Sequence, residues 1–180
     1  MTGAPSIVVL GVGNTLMRDD GVGVWAVRLL AETYDLPARV RLVDGGVAGL
    51  RCLPEFEGAE HLLIIDAVAG GEPPGAIYRL NPDDLSARRG PFFSAHEVGI
   101  AELLSVARFL GKLPSTRILG VQPKEVREVG LDLTPALKEA LSHVVEAVAE
   151  ELQALGVEVI EKNRVGTADR NITSTKGEGS

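Results

Sequence analysis

The stretch Ile7-Val8-Val9-Leu10-Gly11-Val12-Gly13-Asn14-Thr15-Leu16-Met17-Arg18-Asp19-Asp20-Gly21-Val22-Gly23 constrains the fold more than any other. It opens as an aliphatic run without polar alternation, the mark of a strand buried on both faces. It breaks at two glycines, passes through a polar turn, and resumes at Val22 with helical spacing. A buried strand feeding a helix through a Gly-rich loop is the first half of an open α/β fold, whose ligand crevice lies beyond the carboxyl ends of the strands. The loop carries Asp19 and Asp20, where a phosphate-binding loop needs backbone amides and no negative charge. Whatever binds here is not a simple anion.

The rest of the chain repeats the alternation. Residues 22–34 read as a helix with Val22, Ala26, Leu29 and Leu30 inward, closed by Pro37. Residues 40–43 form a second strand ending in the turn signal Asp44-Gly45-Gly46. Residues 50–56 suggest a short helix broken by Pro54. Leu62-Leu63-Ile64-Ile65 is a buried strand that ends on Asp66, and residues 76–80 form a strand of antiparallel candidacy. Ser94 and Glu97 make a capping box around His96. The helix it opens carries apolar residues at Ile100, Leu103, Leu104, Ala107 and Leu110 and stops at Gly111. Residues 117–121 are a strand ending at Gln122-Pro123. The last helix has Thr134 at its N-cap, Pro135 in its first turn, and Leu137, Leu141, Val144, Val148 and Leu152 inward, with Gly156 at its end. Residues 157–160 add a short edge strand. The expectation is one three-layer α/β domain over residues 1–161, with a twisted, mostly parallel five-stranded sheet and helices on both faces. Residues 162–180 are polar and read as a disordered tail.

Composition excludes several function classes. The net charge of −7 argues against a basic nucleic-acid face, and a single cysteine, Cys52, excludes an internal disulfide or a cysteine metal site. No apolar run approaches the roughly 18 residues of a bilayer span. The first six residues lack the charged and apolar regions of a signal peptide. A soluble, cytoplasmic, monomeric protein is expected.

Chemistry should gather where strands end. The parallel strands deliver Asn14, Asp19, Asp20, Asp44 and Asp66 to one edge of the sheet, and His96 opens a helix. Two carboxylates and an imidazole suit a borderline divalent metal with positions left open. Each residue also has a structural role to weigh. Asp20, or Asp19 in its place, suits the N-cap of the first helix, and that role is the one favoured from residue types alone. Asp44 suits a turn. Asp66 follows four aliphatic residues and must be solvated, paired or bound. At the positive end of a helix dipole His96 stays neutral, the state needed for ligation. His143 lies on a solvated helix face, and His61 has no partner nearby in sequence. The dinucleotide fingerprint fails because its third glycine falls on Leu16, and no P-loop or nucleophile elbow follows.

The residues that remain resemble the nickel–iron hydrogenase maturation endopeptidases. The resemblance rests on Gly11 through Gly23, on Asp44-Gly45-Gly46, on Ile64-Ile65-Asp66-Ala67-Val68, on Ser94-Ala95-His96-Glu97-Val98-Gly99 and on Gly120-Val121-Gln122-Pro123, five blocks in the family's order. It implies removal of a C-terminal extension from the hydrogenase large-subunit precursor after nickel insertion. It implies Asp20, Asp66 and His96 as metal ligands, the metal being nickel supplied by the substrate, with zinc or cadmium able to take its place. It further implies Asn14, Asp44, Gly45, Gly46 and Gln122 as residues facing the substrate. Asp20 stands where some members carry Glu, and Val47 where Thr is frequent. The sequence leaves open whether Asp20, Asp66 or the metal activates water. The rival readings are a non-catalytic nickel-dependent binding module or chaperone for the same subunit, and a dinucleotide-dependent oxidoreductase.

Overall fold

In the computed structural model, which describes residues 6–47, 49–86 and 97–162, β1 (Ile7–Val12) is buried along its whole length. Its odd and even residues serve different cores: Ile7 and Val9 face one layer, Val8 and Leu10 the other. That is what a period-two strand covered on both faces must do. A 3-10 turn (Arg18–Gly21) leads into α1 (Val22–Thr33), and a two-residue strand β2 (Tyr34–Asp35) follows. The chain then makes β3 (Val40–Gly46), a 3-10 segment (Gly49–Phe56), β4 (His61–Ala67) and β5 (Ile77–Leu80). After α2 (Pro82–Ser86) come α3 (Glu97–Phe109), β6 (Ser115–Val121), α4 (Pro135–Ala154) and β7 (Ile160–Glu161).

The main sheet has the strand order β3-β1-β4-β6-β5. All its pairings are parallel except β5 with β6, which is antiparallel. The expected five-stranded, mostly parallel sheet is therefore the observed one. Among the described residues, α1 and α4 cover one face, through Ala26, Leu30, Leu137, Val144 and Leu152. The 3-10 segment, α2 and α3 cover the other, through Phe56, Leu85, Ile100 and Leu103.

Three local expectations shift. The first helix stops at Thr33, because Tyr34 and Asp35 pair with Glu161 and Ile160 in a separate antiparallel ribbon. The expected edge strand at 157–160 accordingly starts three residues later, at Ile160, and lies outside the main sheet. Leu110 lies past the end of α3 and is 48% exposed rather than part of its inward stripe. Thr134 does occupy the N-cap of α4, with Pro135 next, but its side chain makes no capping bond. Among the described residues, no helix is long and apolar enough to cross a membrane. The expected tail at 162–180 lies, apart from Lys162, outside the described residues.

Candidate active site

Strand order locates the crevice. After β1 the chain moves to β3 at one side, and after β3 it crosses to β4 on the other, so the order reverses between β1 and β4. Open α/β sheets bind ligands at that switch point, outside the carboxyl ends of the strands. Asp20 lies in the turn that follows β1. Asp66 is the penultimate residue of β4, one position beyond the Gly11–Ile65 pair that closes the β1–β4 ladder.

Glycines set how closely these two segments approach. The turn bearing Asp20 packs against β4, and α1 begins immediately beneath it. A Cβ on Gly23 would lie 2.1 Å from Ile65 O and 2.4 Å from Val12 O, so only glycine lets α1 start this close to both strand ends. Gly13 has φ of +140°, and a Cβ there would strike Asp20 O at 2.0 Å. These contacts bring residues 46 positions apart to one rim.

Both carboxylates are buried, Asp66 at 0% exposure and Asp20 at 4%. Asp66 Oδ1 accepts a hydrogen bond from Ala67 N at 2.9 Å, and Asp20 Oδ2 accepts one from Asn14 N at 3.1 Å. Burying two acids on segments that pack together costs free energy that packing does not return, which is characteristic of functional sites. The N-cap role expected of Asp20 is not the one observed. Gly21 is the N-cap of α1 without any side-chain capping bond, and Asp20 turns back to Asn14.

Asp19 is not a cap of α1 either. Its buried carboxylate reaches the loop between β6 and α4. There Oδ2 accepts from Lys124 N at 2.9 Å, Glu125 N at 3.1 Å and Thr134 Oγ1 at 2.9 Å, and Oδ1 accepts from Thr134 N at 2.7 Å. The sequence reading missed this tie. Two adjacent acids ahead of a helix were its only signal, because the partners lie more than a hundred residues away. Asp19 thus ties the turn after β1 to the loop before α4, while Asp20 holds the Asn14 amide. Just before them Arg18 adopts a left-handed φ of 48°, uncommon for a residue with a side chain, and its amide donates to Gly130 O.

The remaining candidates are arranged around the acids. Asn14 uses its side chain to accept from Leu16 N at 3.0 Å, an Asx turn that shapes the loop. β3 bulges between Asp44 and Gly46, and Gly46 O accepts from Gly13 N at 2.9 Å, joining this loop to the first. A Cβ on Gly45 would come within 2.7 Å of Leu10 Cδ1. Asp44 is half-exposed and accepts from Arg28 Nη2 at 2.8 Å, while the Arg28 cation lies 5.1 Å above the Trp25 ring. Gln122 is nearly buried: its Oε1 accepts from Gly70 N, Gly71 N and Tyr78 Oη, and so props up the loop after β4. Cys52 packs beneath Gly45, and burial pushes its thiol pKa up, with a smaller contribution from Glu55.

His96, and Ser94 of the expected Ser94–Glu97 capping box, lie outside the described residues. Among those described, no group of three His, Cys, Asp or Glu side chains is arranged to hold a metal. The other two histidines are remote. His61 opens β4 at the amino rim, beside a cavity of about 300 Å³ that Arg117 and Glu151 also line, and His143 is exposed on α4.

Comparison with known proteins gives the family. The sequence profile described as hydrogenase maturation protease matches residues 24–151. The chain belongs to the hydrogenase maturation protease family. Its similarity to the hydrogenase expression/formation protein HupD of Rhodobacter capsulatus is 40% identity over 155 residues, 85% of this chain and 74% of that one. With the hydrogenase 2 maturation protease of Escherichia coli K12 it is 35% identical over 161 residues, 88% of this chain and 98% of the relative. The structure of the hydrogenase maturating endopeptidase HybD from E. coli superposes with a TM-score of 0.78 at 34% identity, covering 87% of this chain and 97% of HybD. The HybD structure from Thermococcus kodakarensis gives 0.68 at 28% identity, covering 81% and 97%. This maturation protease is thus a peptidase on a HybD-like α/β fold, and the dinucleotide-dependent reading is set aside.

Proposed function

We propose that this protease removes the C-terminal extension of a nickel–iron hydrogenase large-subunit precursor once nickel is in place. In this reading Asp20, Asp66 and His96 complete the coordination of nickel already held by the substrate, which places the scissile bond at the rim. The observation that carries the reading is the pair of buried carboxylates at the switch point, delivered by separate strands and held in place by glycines. His96 is the histidine available to join them, since His61 and His143 lie elsewhere. It directly precedes α3, which ends six residues before β6 starts at the amino rim. A helix of 13 residues is about 20 Å long, so its first residue belongs toward the opposite, carboxyl rim.

In this reading Asn14, Asp44, Gly45, Gly46 and Gln122 face the substrate. A metal held by these residues would supply a positioning template for the scissile bond, and Asp20, Asp66 or that metal would activate the attacking water. Zinc or cadmium serves as a surrogate for nickel at such a donor set. The protein acts as a monomer in the cytoplasm.

Mass spectrometry of purified precursor mixed with this protein tests the proposal. A shortened large subunit is expected from nickel-loaded precursor and an intact one from nickel-free precursor. A stable uncut complex with the loaded precursor would support a binding module instead. Equal cleavage of both forms would remove nickel from the recognition step.

A further inference from the structure

Single exposed apolar side chains are ordinary on protein surfaces. Next to the acid pair they occur together. Leu16 is 56% exposed, Val129 80% and Leu131 70%. They belong to two loops joined through their backbones: Gly130 N donates to Leu16 O at 2.9 Å, and Arg18 N donates to Gly130 O at 2.9 Å. The Arg18 side chain crosses Gly130, where a Cβ would lie 3.0 Å from Arg18 Cγ, and its Nε pairs with Glu128 at 3.2 Å. Asp19 anchors the ends of the second loop at Lys124, Glu125 and Thr134.

These apolar groups are therefore presented by a fastened surface. Left in water they contribute nothing to folding, and a partner that covered them would gain from their burial. We propose that Leu16, Val129 and Leu131 form a ledge that seats apolar side chains of the protein substrate beside the bond to be cut.

The inference rests on the endopeptidase reading and names part of how that substrate is gripped. A protease must hold the chain on at least one side of the scissile bond. An extended chain advances about 3.3 Å per residue. Leu16 is two residues from Asn14, whose amide holds the Asp20 carboxylate. A substrate strand with its scissile bond at the acids thus reaches the ledge within a few residues. Arg18 and Glu128 neutralise each other at the edge, which leaves the ledge suited to an uncharged, apolar stretch.

The test compares wild type, the double variant Val129→Ser/Leu131→Ser and the control Phe109→Ser, using full-length protein and nickel-loaded precursor. Phe109 is 88% exposed at the end of α3, away from the ledge. The double variant is expected to raise KM by roughly tenfold or more with kcat at saturation unchanged, the signature of binding shared by ground and transition states. Phe109→Ser should leave both constants unchanged. An unchanged KM in the double variant, or a lower kcat at unchanged KM, would overturn the ledge. Leu16→Asn gives an independent check with the same expected direction. Titration of precursor against each variant separates the two claims. If wild type binds without cutting, the peptidase reading falls, yet a tenfold weaker affinity in the double variant still upholds the ledge.

Discussion

Replacing Asp19 tests whether the rim is built as described. Its carboxylate accepts four hydrogen bonds while fully buried, three of them on Oδ2. Every one of these neighbours is a donor, so the site requires a group that only accepts, which an ionised carboxylate does. Asp19→Ala strands three backbone amides, and removing one member of a buried charged network costs about 3–5 kcal/mol. Asp19→Asn is the sharper experiment. Its amide nitrogen must point either at Thr134 N or at the three donors on the other side, and both orientations oppose donor to donor. A loss of about 2–4 kcal/mol is expected from Asn despite its near-identical shape. For a chain of this size 1 kcal/mol corresponds to about 2–4 °C in Tm, so Asp19→Ala should melt roughly 6–20 °C lower. Urea titration of both variants supplies the free energies, and hydrogen exchange at Lys124, Glu125 and Thr134 locates the loss. Stability of Asp19→Asn within about 0.5 kcal/mol of wild type would refute the reasoning.

Further expectations concern single positions. Gly23→Ala places a methyl group 2.1 Å from Ile65 O, and should cost about 3 kcal/mol or more, or prevent folding, as read from soluble yield and Tm. Arg28→Ala removes a half-exposed pair with Asp44 together with the contact over the Trp25 ring, and its stability should fall by about 1 kcal/mol. The Cys52 pKa is raised in the folded state, which means the unfolded chain releases its proton first. The associated stability is full below about pH 8.5 and declines as pH rises above it, and the native thiol should react slowly with a thiol reagent until denaturant is added. His96→Ala and Asp66→Asn should each reduce cleavage by roughly 100-fold or more in a precursor assay while the far-ultraviolet spectrum stays native.

The sheet was legible because its strands are short aliphatic runs punctuated by glycine and proline. Leu62 to Ile65 has no other sensible environment than a doubly covered strand, and the structure buries all four residues. The long helices were legible from their stripes, and α1 ends early because Tyr34 and Asp35 pair with β7. Asp66 stood out because an acid after four aliphatic residues has to be accounted for. Asp20 and Asp19 could not be told apart in this way. Both precede a helix, and which one faces the rim depends on a loop more than a hundred residues away that supplies donors to Asp19. The ledge left no periodic signal, since Leu16, Val129 and Leu131 sit in loops where exposure is decided by backbone pairing across distant segments.

Anomalous scattering from crystals soaked in cadmium tests the central claim most directly. A single strong peak between β1 and β4, with Asp20, Asp66 and His96 as its protein ligands, is expected. A peak held by other residues, or coordinates in which His96 lies far from the two acids, would contradict it.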